Sequence, residues 1–351
     1  MEQGVSLEQI KLLISFNMTQ DEKKKLCQYI MQLPQSELIS LARQVMELED
    51  ESHIQEILAL LVKIRPSSLS ELQKEWIDKE QFYPGTLYRK ANAEVRTLLL
   101  QRMEEASSLD SLTVNHLLLS LAWVGDEEVQ RQFSLWRQNP PSWADKLCIP
   151  PEEYSYEANW KLDENGKRQD LVYEEHIYTA ALAAQKNIWL EERCQCCGWK
   201  LAVLFDLDLS NPKLHFLGMQ GKYLRIATCI QCTCYSTIYT EVDGDGNVRW
   251  SFYNEKPEYC YHQPDGNYED FGVTCFDVGP KQEAWEELYF EEKSKIGGYP
   301  VWINDAYFPN CPRCQEKMPF IAQHYEEGQE GLIYVYLCSS CEVVATHYDQ
   351  T

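Results

Sequence analysis

Apolar residues recur every three or four positions through the first 137 residues, the spacing that places them on one face of a helix. Two of these faces comprise Leu38, Leu41, Val45 and Leu48, and then Ile54, Ile57, Leu61 and Ile64. Polar residues mark helix starts, as in Thr19-Gln20-Asp21-Glu22, which fits the capping box. Gly125 is expected to end a helix over 109–124, and Asp126 is expected to cap the next one over 126–137.

Residues 1–138 are therefore predicted to form eight short helices joined by tight, often acidic turns. The segment LAWVGDEEVQRQF resembles a HEAT-type repeat unit, and in such a solenoid each helix pair buries its apolar face against the next pair. An ordinary helical bundle is the alternative, because the period of the pattern is irregular. In both arrangements the aliphatic residues form the core.

The helical pattern breaks at Asn139-Pro140-Pro141-Ser142, and Pro150-Pro151 follows soon after. We predict a linker over 139–155 and a second domain over 156–351, in which β-prone runs alternate with turn residues. The predicted fold class is α+β, with an N-terminal HEAT-like helical solenoid followed by a duplicated β-rich domain.

Eight of the fourteen cysteines form four Cys-x-x-Cys pairs in this second domain. The first quartet is Cys194, Cys197, Cys229 and Cys232, and the second is Cys311, Cys314, Cys338 and Cys341. Zinc prefers four soft ligands in a tetrahedron, and a Cys-x-x-Cys turn (a knuckle) supplies two thiolates from one short stretch of chain. Two knuckles leave no open coordination position, so we expect two structural zinc ions rather than catalytic ones.

The two quartets also lie in similar sequence contexts. CQCCGWKLAVLF aligns with CPRCQEKMPFIA, and RIATCIQCTCYSTIY aligns with YVYLCSSCEVVATHY. Each second knuckle stands between two β-prone runs, which predicts a β-ribbon held by zinc. The two zinc-ribbon-like units are expected over about 190–253 and 295–351.

Two alternatives remain open at the first quartet. Cys196 and Cys234 lie close enough in sequence to replace one of the four ligands. A redox-active CxxC pair is a rival chemistry, although the βαβ context of a thioredoxin-like protein is missing.

The Asp243–Asn247 stretch is expected to be a hairpin turn, because Val248 stands where a calcium loop needs its glycine.

The net charge of −23 is concentrated in the second half, where residues 151–351 carry 33 acidic and 16 basic residues, a net −17. Such a surface repels nucleic acid and attracts basic proteins, although acidity also keeps proteins in solution. No run of 18 apolar residues occurs, and MEQGVSLEQI lacks the regions of a secretory signal. We therefore expect a cytoplasmic protein without a membrane span. No catalytic motif stands out, which argues against an enzyme.

A distinctive stretch, KSKIGGYPVWI, covers residues 293–303. Together with the CPRC knuckle and the closing ATHYDQT, it resembles the YwqG-like family of bacterial proteins, which is related to the eukaryotic programmed cell death protein 2 family. The resemblance covers roughly residues 150–351. It implies a duplicated β-rich domain that binds proteins rather than catalysing a reaction, as a toxin-neutralising immunity protein or as a chaperone for a basic client.

The expected function is thus a non-catalytic, zinc-stabilised module that binds a basic protein. Gly297, Gly298, Pro300 and Trp302 are candidate partner-binding residues, and a structural turn that seats a core tryptophan is the alternative. A CxxC thiol redox enzyme and a nucleic-acid-binding zinc ribbon are the alternative functions.

Overall fold

The computed structural model describes residues 19–48, 51–185, 187–257, 272–282, 293–328 and 330–350. The chain divides into two compact units, Met1–Gln169 and Asp170–Thr351. The first 18 residues of the predicted helical domain lie outside the described residues.

Helices make up most of the described part of the first unit. Its α-helices are Gln20–Gln32 (α1), Gln35–Met46 (α2), Glu51–Ile64 (α3), Ser70–Asp78 (α4), Ala93–Glu104 (α5), Ser111–Val124 (α6) and Glu127–Gln138 (α7). Its 3₁₀ helices are Gly85–Tyr88 (η1), Ser142–Lys146 (η2) and Pro151–Ala158 (η3). The capping box predicted at Thr19 is confirmed, since Thr19 and Glu22 each accept a hydrogen bond from the other residue's backbone N–H.

Helix α6 buries seven of its residues and packs against α5, α7, η1 and η3. Asp110 caps its start, and Gly125 ends it in the left-handed conformation with φ +55°. Asp126 then accepts a hydrogen bond from the Val129 N–H and caps α7. The predicted helix end at Gly125 and the predicted cap at Asp126 are both confirmed.

The segment after α7 belongs to the helical unit rather than forming a free connection. Its 3₁₀ helix η3 packs against both α6 and α7. Trp160 then donates to the Ala122 carbonyl over 2.9 Å and stacks on Phe133, with 5.7 Å between ring centroids. The division between the two units falls after Gln169. The proline pattern predicts a linker over 139–155, because helix-breaking residues give no information about the aromatic contacts that follow them.

Helices close in sequence pack against one another, as α2 does with α3 and α5 does with α6. Such pairs occur in solenoids and in bundles alike. The HEAT-like solenoid therefore stays a prediction.

Strands dominate the described part of the second unit. A short pair, Trp160–Leu162 (β1) and Arg168–Asp170 (β2), precedes it. The main sheet contains Tyr173–Leu182 (β3), Trp189–Arg193 (β4), Lys200–Asp208 (β5), Tyr223–Thr228 (β6), Ile238–Val242 (β7), Val248–Trp250 (β8), Phe276–Lys281 (β9), Lys295–Gly298 (β10), Phe320–His324 (β11), Leu332–Cys338 (β12) and Val343–Asp349 (β13). The strand order is β4-β5-β9-β3-β10-β11-β12-β13-β7-β8, with β6 paired to β5. A 3₁₀ helix, Pro212–Leu217 (η4), connects β5 to β6, and a short helix, Ile230–Thr233 (α8), follows β6.

This sheet curls so that strands from the two ends of its order meet. The Trp250 N–H of β8 donates to the Glu192 carboxylate of β4 over 2.8 Å, and the Thr240 hydroxyl of β7 donates to the Ala227 carbonyl of β6 over 3.4 Å. Alternation along β7 places Ile238, Thr240 and Val242 on the inner face, where the hydrophobic core of the unit lies.

The two predicted ribbon units share one order of elements, namely a knuckle, two antiparallel strands, a second knuckle and a further strand. In the first unit the strands are β5, β6 and β7, and in the second they are β11, β12 and β13. The two units are not separate ribbons, because β13 pairs directly with β7 and joins them into a single sheet. The overall class combines helices and sheet, as predicted.

Candidate metal centres

The structure brings the first cysteine quartet together at the edge of the β-sheet core. The Sγ atoms of Cys194, Cys197, Cys229 and Cys232 lie within 4.8 Å of one another. Cys197 and Cys229 are 3.3 Å apart, Cys194 and Cys232 are 3.5 Å apart, and all four residues are at most 1% exposed. Four sulfurs at about 2.3 Å from one zinc ion stand about 3.8 Å from each other, so this set fits a tetrahedral metal.

Local hydrogen bonds explain why the chain turns at the first knuckle. The Cys194 N–H donates to the Trp199 carbonyl over 2.8 Å, and the Gly198 N–H donates to the Cys194 carbonyl over 2.9 Å. Gly198 adopts φ +89°, which a residue with a side chain rarely adopts. The Cys197 N–H points at the Cys194 sulfur over 3.4 Å, the backbone-to-sulfur contact that stabilises a thiolate ligand.

The second knuckle of this cluster begins where β6 ends. Cys229 precedes α8, and its carbonyl accepts from the Thr233 N–H over 2.9 Å. The Thr233 hydroxyl lies 2.6 Å from that of Thr228, which is also 2.6 Å from the Thr346 hydroxyl. This buried chain of hydroxyl groups attaches the knuckle to β13.

Thiol hydrogen bonds within the first cluster shift the pKa values of its members in opposite directions. Donation by Cys197, Cys229 and Cys232 holds the pKa of the Cys194 thiol far below its ordinary value. The contacts with Cys194 raise the pKa of Cys229 and the pKa of Cys232. A divalent cation bound between these thiols would replace their protons.

The two neighbouring thiols lie outside this group. The Cys196 sulfur is 3.9 Å from the Glu255 carbonyl oxygen, and the Cys234 sulfur is 3.3 Å from the Ile230 carbonyl oxygen. Neither belongs to the four sulfurs that could share an ion. Since Cys194, Cys196 and Cys197 are all buried, this crowded stretch offers little access to an external disulfide.

The second quartet also converges, in a more open setting. The sulfurs of Cys311, Cys314, Cys338 and Cys341 lie within 4.8 Å of one another, and Cys314 is 3.8 Å from Cys338. Cys311 is buried, Cys314 is exposed, and the other two are half-buried. This set likewise fits four-coordinate zinc, and solvent reaches one side of it.

Residues around the second cluster shape both of its knuckles. The Gln315 N–H donates to the Cys311 carbonyl over 2.8 Å, and the Cys341 N–H donates to the Cys338 carbonyl over 3.3 Å. Burial raises the pKa of the Cys311 thiol to about 12. Burial acts in the same direction at Cys338, but hydrogen bonds from the Ser340 hydroxyl and from backbone and thiol donors outweigh it, and its pKa falls.

Arg313 lies inside the Cys311–Cys314 knuckle and is a residue that the cysteine spacing does not single out. Its guanidinium donates to the Cys341 carbonyl over 2.9 Å and pairs with the Glu241 carboxylate of β7 over 2.8 Å. It therefore connects the two knuckles of the second cluster to the strand that follows the first cluster. Only the pairing of β13 with β7 brings these residues together, so the signal is absent from the local sequence.

The predicted partner-binding residues stand in and after β10. Gly297 and Gly298 have φ +73° and +67°, and a Cβ at Gly297 would lie 1.7 Å from the His176 carbonyl oxygen. Gly297, Gly298 and Pro300 are buried, and Trp302 is half-buried. Gly297 therefore permits a close backbone approach between β10 and β3, and the β-bulge falls between Gly297 and Gly298.

The segment that contains Trp302 is held against the sheet. The Tyr334 hydroxyl donates to the Val301 carbonyl over 2.7 Å and accepts from the Ile303 N–H over 3.0 Å. The Trp302 ring packs 4.9 Å from Tyr334 and 5.4 Å from Phe308, measured between centroids. These contacts match the structural turn that was the alternative for this motif, and a partner-binding role for the four residues stays a prediction.

The Asp243 turn is the hairpin predicted from the sequence. It joins β7 to β8, which pair in antiparallel fashion. The Asp243 carboxylate accepts from the N–H groups of Asp245 and Asn247 and from the Asn247 side chain. These hydrogen bonds, led by the one from the Asn247 side chain, lower the pKa of Asp243.

Among the helices in the described ranges, none is both long enough and apolar enough to cross a bilayer.

Comparison with known proteins finds a relative over most of the chain. Neither a protein-family model nor a solved structure matches the chain. "Uncharacterized protein YpfL" of Salmonella typhimurium is 31% identical over 335 residues, which cover 90% of this chain and 77% of the relative. The similarity spans both the helical and the β-rich unit. The chain therefore belongs to the family of the Salmonella protein YpfL.

Proposed function

We propose that this protein is a non-catalytic, zinc-stabilised binding module for a basic protein. The observation that carries the proposal is the pair of complete cysteine quartets, each with its four sulfurs within 4.8 Å. Zinc bound there would crosslink the knuckles and contribute to folding. Four thiolates leave no coordination position for a substrate, so the metal would be structural rather than catalytic. The first quartet comprises Cys194, Cys197, Cys229 and Cys232, and the second comprises Cys311, Cys314, Cys338 and Cys341.

Charge supports the basic partner. Residues 170–351 carry 28 acidic and 13 basic residues, a net −15. An acidic surface of this size steers basic proteins toward it and repels nucleic-acid phosphates. A toxin-neutralising immunity protein and a client-specific chaperone both match this chemistry, as does the resemblance to YwqG-like proteins. A cytoplasmic location suits it, because thiols stay reduced there and available to zinc.

The first test is the metal content of the full chain, purified without a histidine tag and measured by elemental analysis. We expect two zinc ions per chain, and thiols of both quartets that resist alkylation until a chelator is added. Crosslinking in lysate at low ionic strength should then recover a basic protein, and raised salt should release it. A metal-free protein with fully reactive thiols would refute the zinc assignment, and the absence of any basic partner would refute the binding role.

A CxxC redox enzyme is the second candidate, and the exposed position of Cys314 favours it. It predicts a metal-free second quartet whose thiols react rapidly with a disulfide reagent at neutral pH. Slow reaction that accelerates only after chelation would exclude it.

A further inference from the structure

Aromatic side chains are exposed beside the second cysteine cluster, on the outer face of β7 and the loops that flank it. Phe252 is 75% exposed, and its ring lies 4.0 Å from that of Tyr253. Tyr307 is 39% exposed and packs on His347, with 4.4 Å between ring centroids. Exposed apolar groups of this size mark interaction sites when they are contiguous. We call Tyr239, Phe252, Tyr253, Tyr307 and His347 the aromatic face.

Tyr239 connects the two aromatic pairs. Its N–H donates to the Asn254 side chain over 2.7 Å, and the Asn254 amide donates back to the Tyr239 carbonyl over 2.7 Å. Its hydroxyl donates to the Asn310 carbonyl over 3.3 Å, three residues beyond Tyr307. The loop that carries Phe252 and the loop that carries Tyr307 are thereby fixed to one strand.

Contacts within the protein hold the rings of Tyr307 and His347. The Tyr307 hydroxyl lies 3.0 Å from that of Thr237, which is 3.2 Å from His347 Nδ1. Tyr239 and Glu241 alternate along β7 and therefore project from the same face of the strand, and Thr237 directly precedes it. A surface whose side chains are already held loses little conformational entropy when a partner binds.

Charge indicates the class of partner. Carboxylates stand near both ends of the aromatic face, Glu255 after Tyr253 and Asp305 before Tyr307, and both are exposed. The π-electron faces of aromatic rings attract cations, and carboxylates accept paired hydrogen bonds from guanidinium groups. The chain's own Arg313 already pairs with Glu241 at this face over 2.8 Å, so a guanidinium fits its chemistry.

We propose that the aromatic face docks an arginine-rich segment of the basic partner protein, an assignment that rests on the proposed function. Phe252 and Tyr307 supply the ring faces, and the exposed carboxylates of Glu255 and Asp305 supply the hydrogen-bond acceptors. The second cysteine cluster holds one end of this surface in place, because the loop from Tyr307 to Arg313 ends in the Cys311–Cys314 knuckle.

The test uses the full metal-loaded chain and a fluorescent peptide of alternating arginine and serine, with a glutamate-serine peptide as the negative probe. Binding is measured by anisotropy for wild type, Phe252→Ser and Tyr307→Ala. Leu182→Ser is the matched control, because Leu182 is 55% exposed in the same unit but lies outside the aromatic face. Each variant must keep the wild-type metal content and melting temperature.

We expect the Kd for the arginine peptide to rise about 10-fold or more in Phe252→Ser and in Tyr307→Ala, and to change less than about 2-fold in Leu182→Ser. If all three variants bind like wild type, the aromatic face is not the docking surface, while the proposed function stands. If the wild type binds neither peptide, both the surface and the basic partner are refuted.

Discussion

The Arg313 guanidinium donates to the Cys341 carbonyl over 2.9 Å, so a residue within one knuckle of the second cluster holds the end of the other. The same guanidinium pairs with Glu241. Groups that orient metal ligands without touching the metal commonly change metal affinity by about 10-fold to 100-fold when they are removed. Arg313 therefore has the position of a residue that stabilises the second cysteine cluster.

Arg313→Met should weaken zinc binding at the second cluster by about 10-fold or more, because the knuckles lose their crosslink and Glu241 loses its partner. Competition with a chromophoric chelator measures this affinity. Lys256→Met is the control, since Lys256 is an exposed cation of the same unit. Equal zinc affinity in the two variants would contradict a supporting role for Arg313.

The two clusters should lose zinc in a fixed order. Cys314 is exposed and its cluster is half-open, whereas the sulfurs of the first cluster are buried. A chelator and an alkylating reagent should therefore release and label the second cluster first. Mass spectrometry of peptides over time identifies which thiols react. Earlier labelling at Cys197 than at Cys314 would show that burial does not control the order.

Cys338→Ser should remove one zinc ion and destabilise the β-rich unit by several kcal/mol, because metal binding is coupled to folding. Thermal melting and hydrogen exchange should show the loss in that unit and leave α6 protected. Cys234→Ser is the control, since this exposed thiol stands outside the quartet, and it should melt like wild type with two zinc ions. An unchanged melting temperature in Cys338→Ser would remove Cys338 from the ligand set.

Gly297→Ala should cost about 3 kcal/mol or more in urea unfolding, because the new Cβ would meet the His176 carbonyl and the backbone has φ +73°. Gly328→Ala isolates the conformational part, since Gly328 has φ +87° with no atom within 4 Å of a new Cβ. It should cost about 1 kcal/mol. Equal costs would mean that the close approach at Gly297 is readily relieved.

Stability should fall as the pH drops below about 6.5, in part because of His324. Burial lowers the pKa of His324, which lies between Phe205 and Phe276, and the opposing effects of the Thr274 carbonyl and Glu326 are smaller. The unfolded chain therefore binds the proton more readily than the folded chain, and acid favours unfolding. The free energy of unfolding of wild type and of His324→Gln should be measured by urea titration between about pH 5 and 7.5. Subtracting one from the other cancels the pH dependence that both proteins share through their cysteine clusters. Parallel pH profiles would show that His324 does not contribute.

Features that depend on neighbouring residues could be predicted from the sequence. Gly125 and Asp126 end one helix and start the next because a left-handed glycine and a capping carboxylate act within one turn of the chain. The cysteine spacing likewise predicted two quartets that the structure brings together, because a Cys-x-x-Cys turn is itself a local structure. The Asp243 hairpin belongs to the same class.

Only the tertiary structure decided how these local pieces combine. The pairing of β13 with β7 merges two ribbons into one sheet, and it brings Glu241 within reach of Arg313. Burial of one cluster and partial exposure of the other also arise from packing between distant segments, as does the seating of Trp160 on Phe133 that extends the helical unit to Gln169. Strand pairing and burial depend on contacts far apart in the chain, whereas caps, turns and knuckles depend on a few consecutive residues.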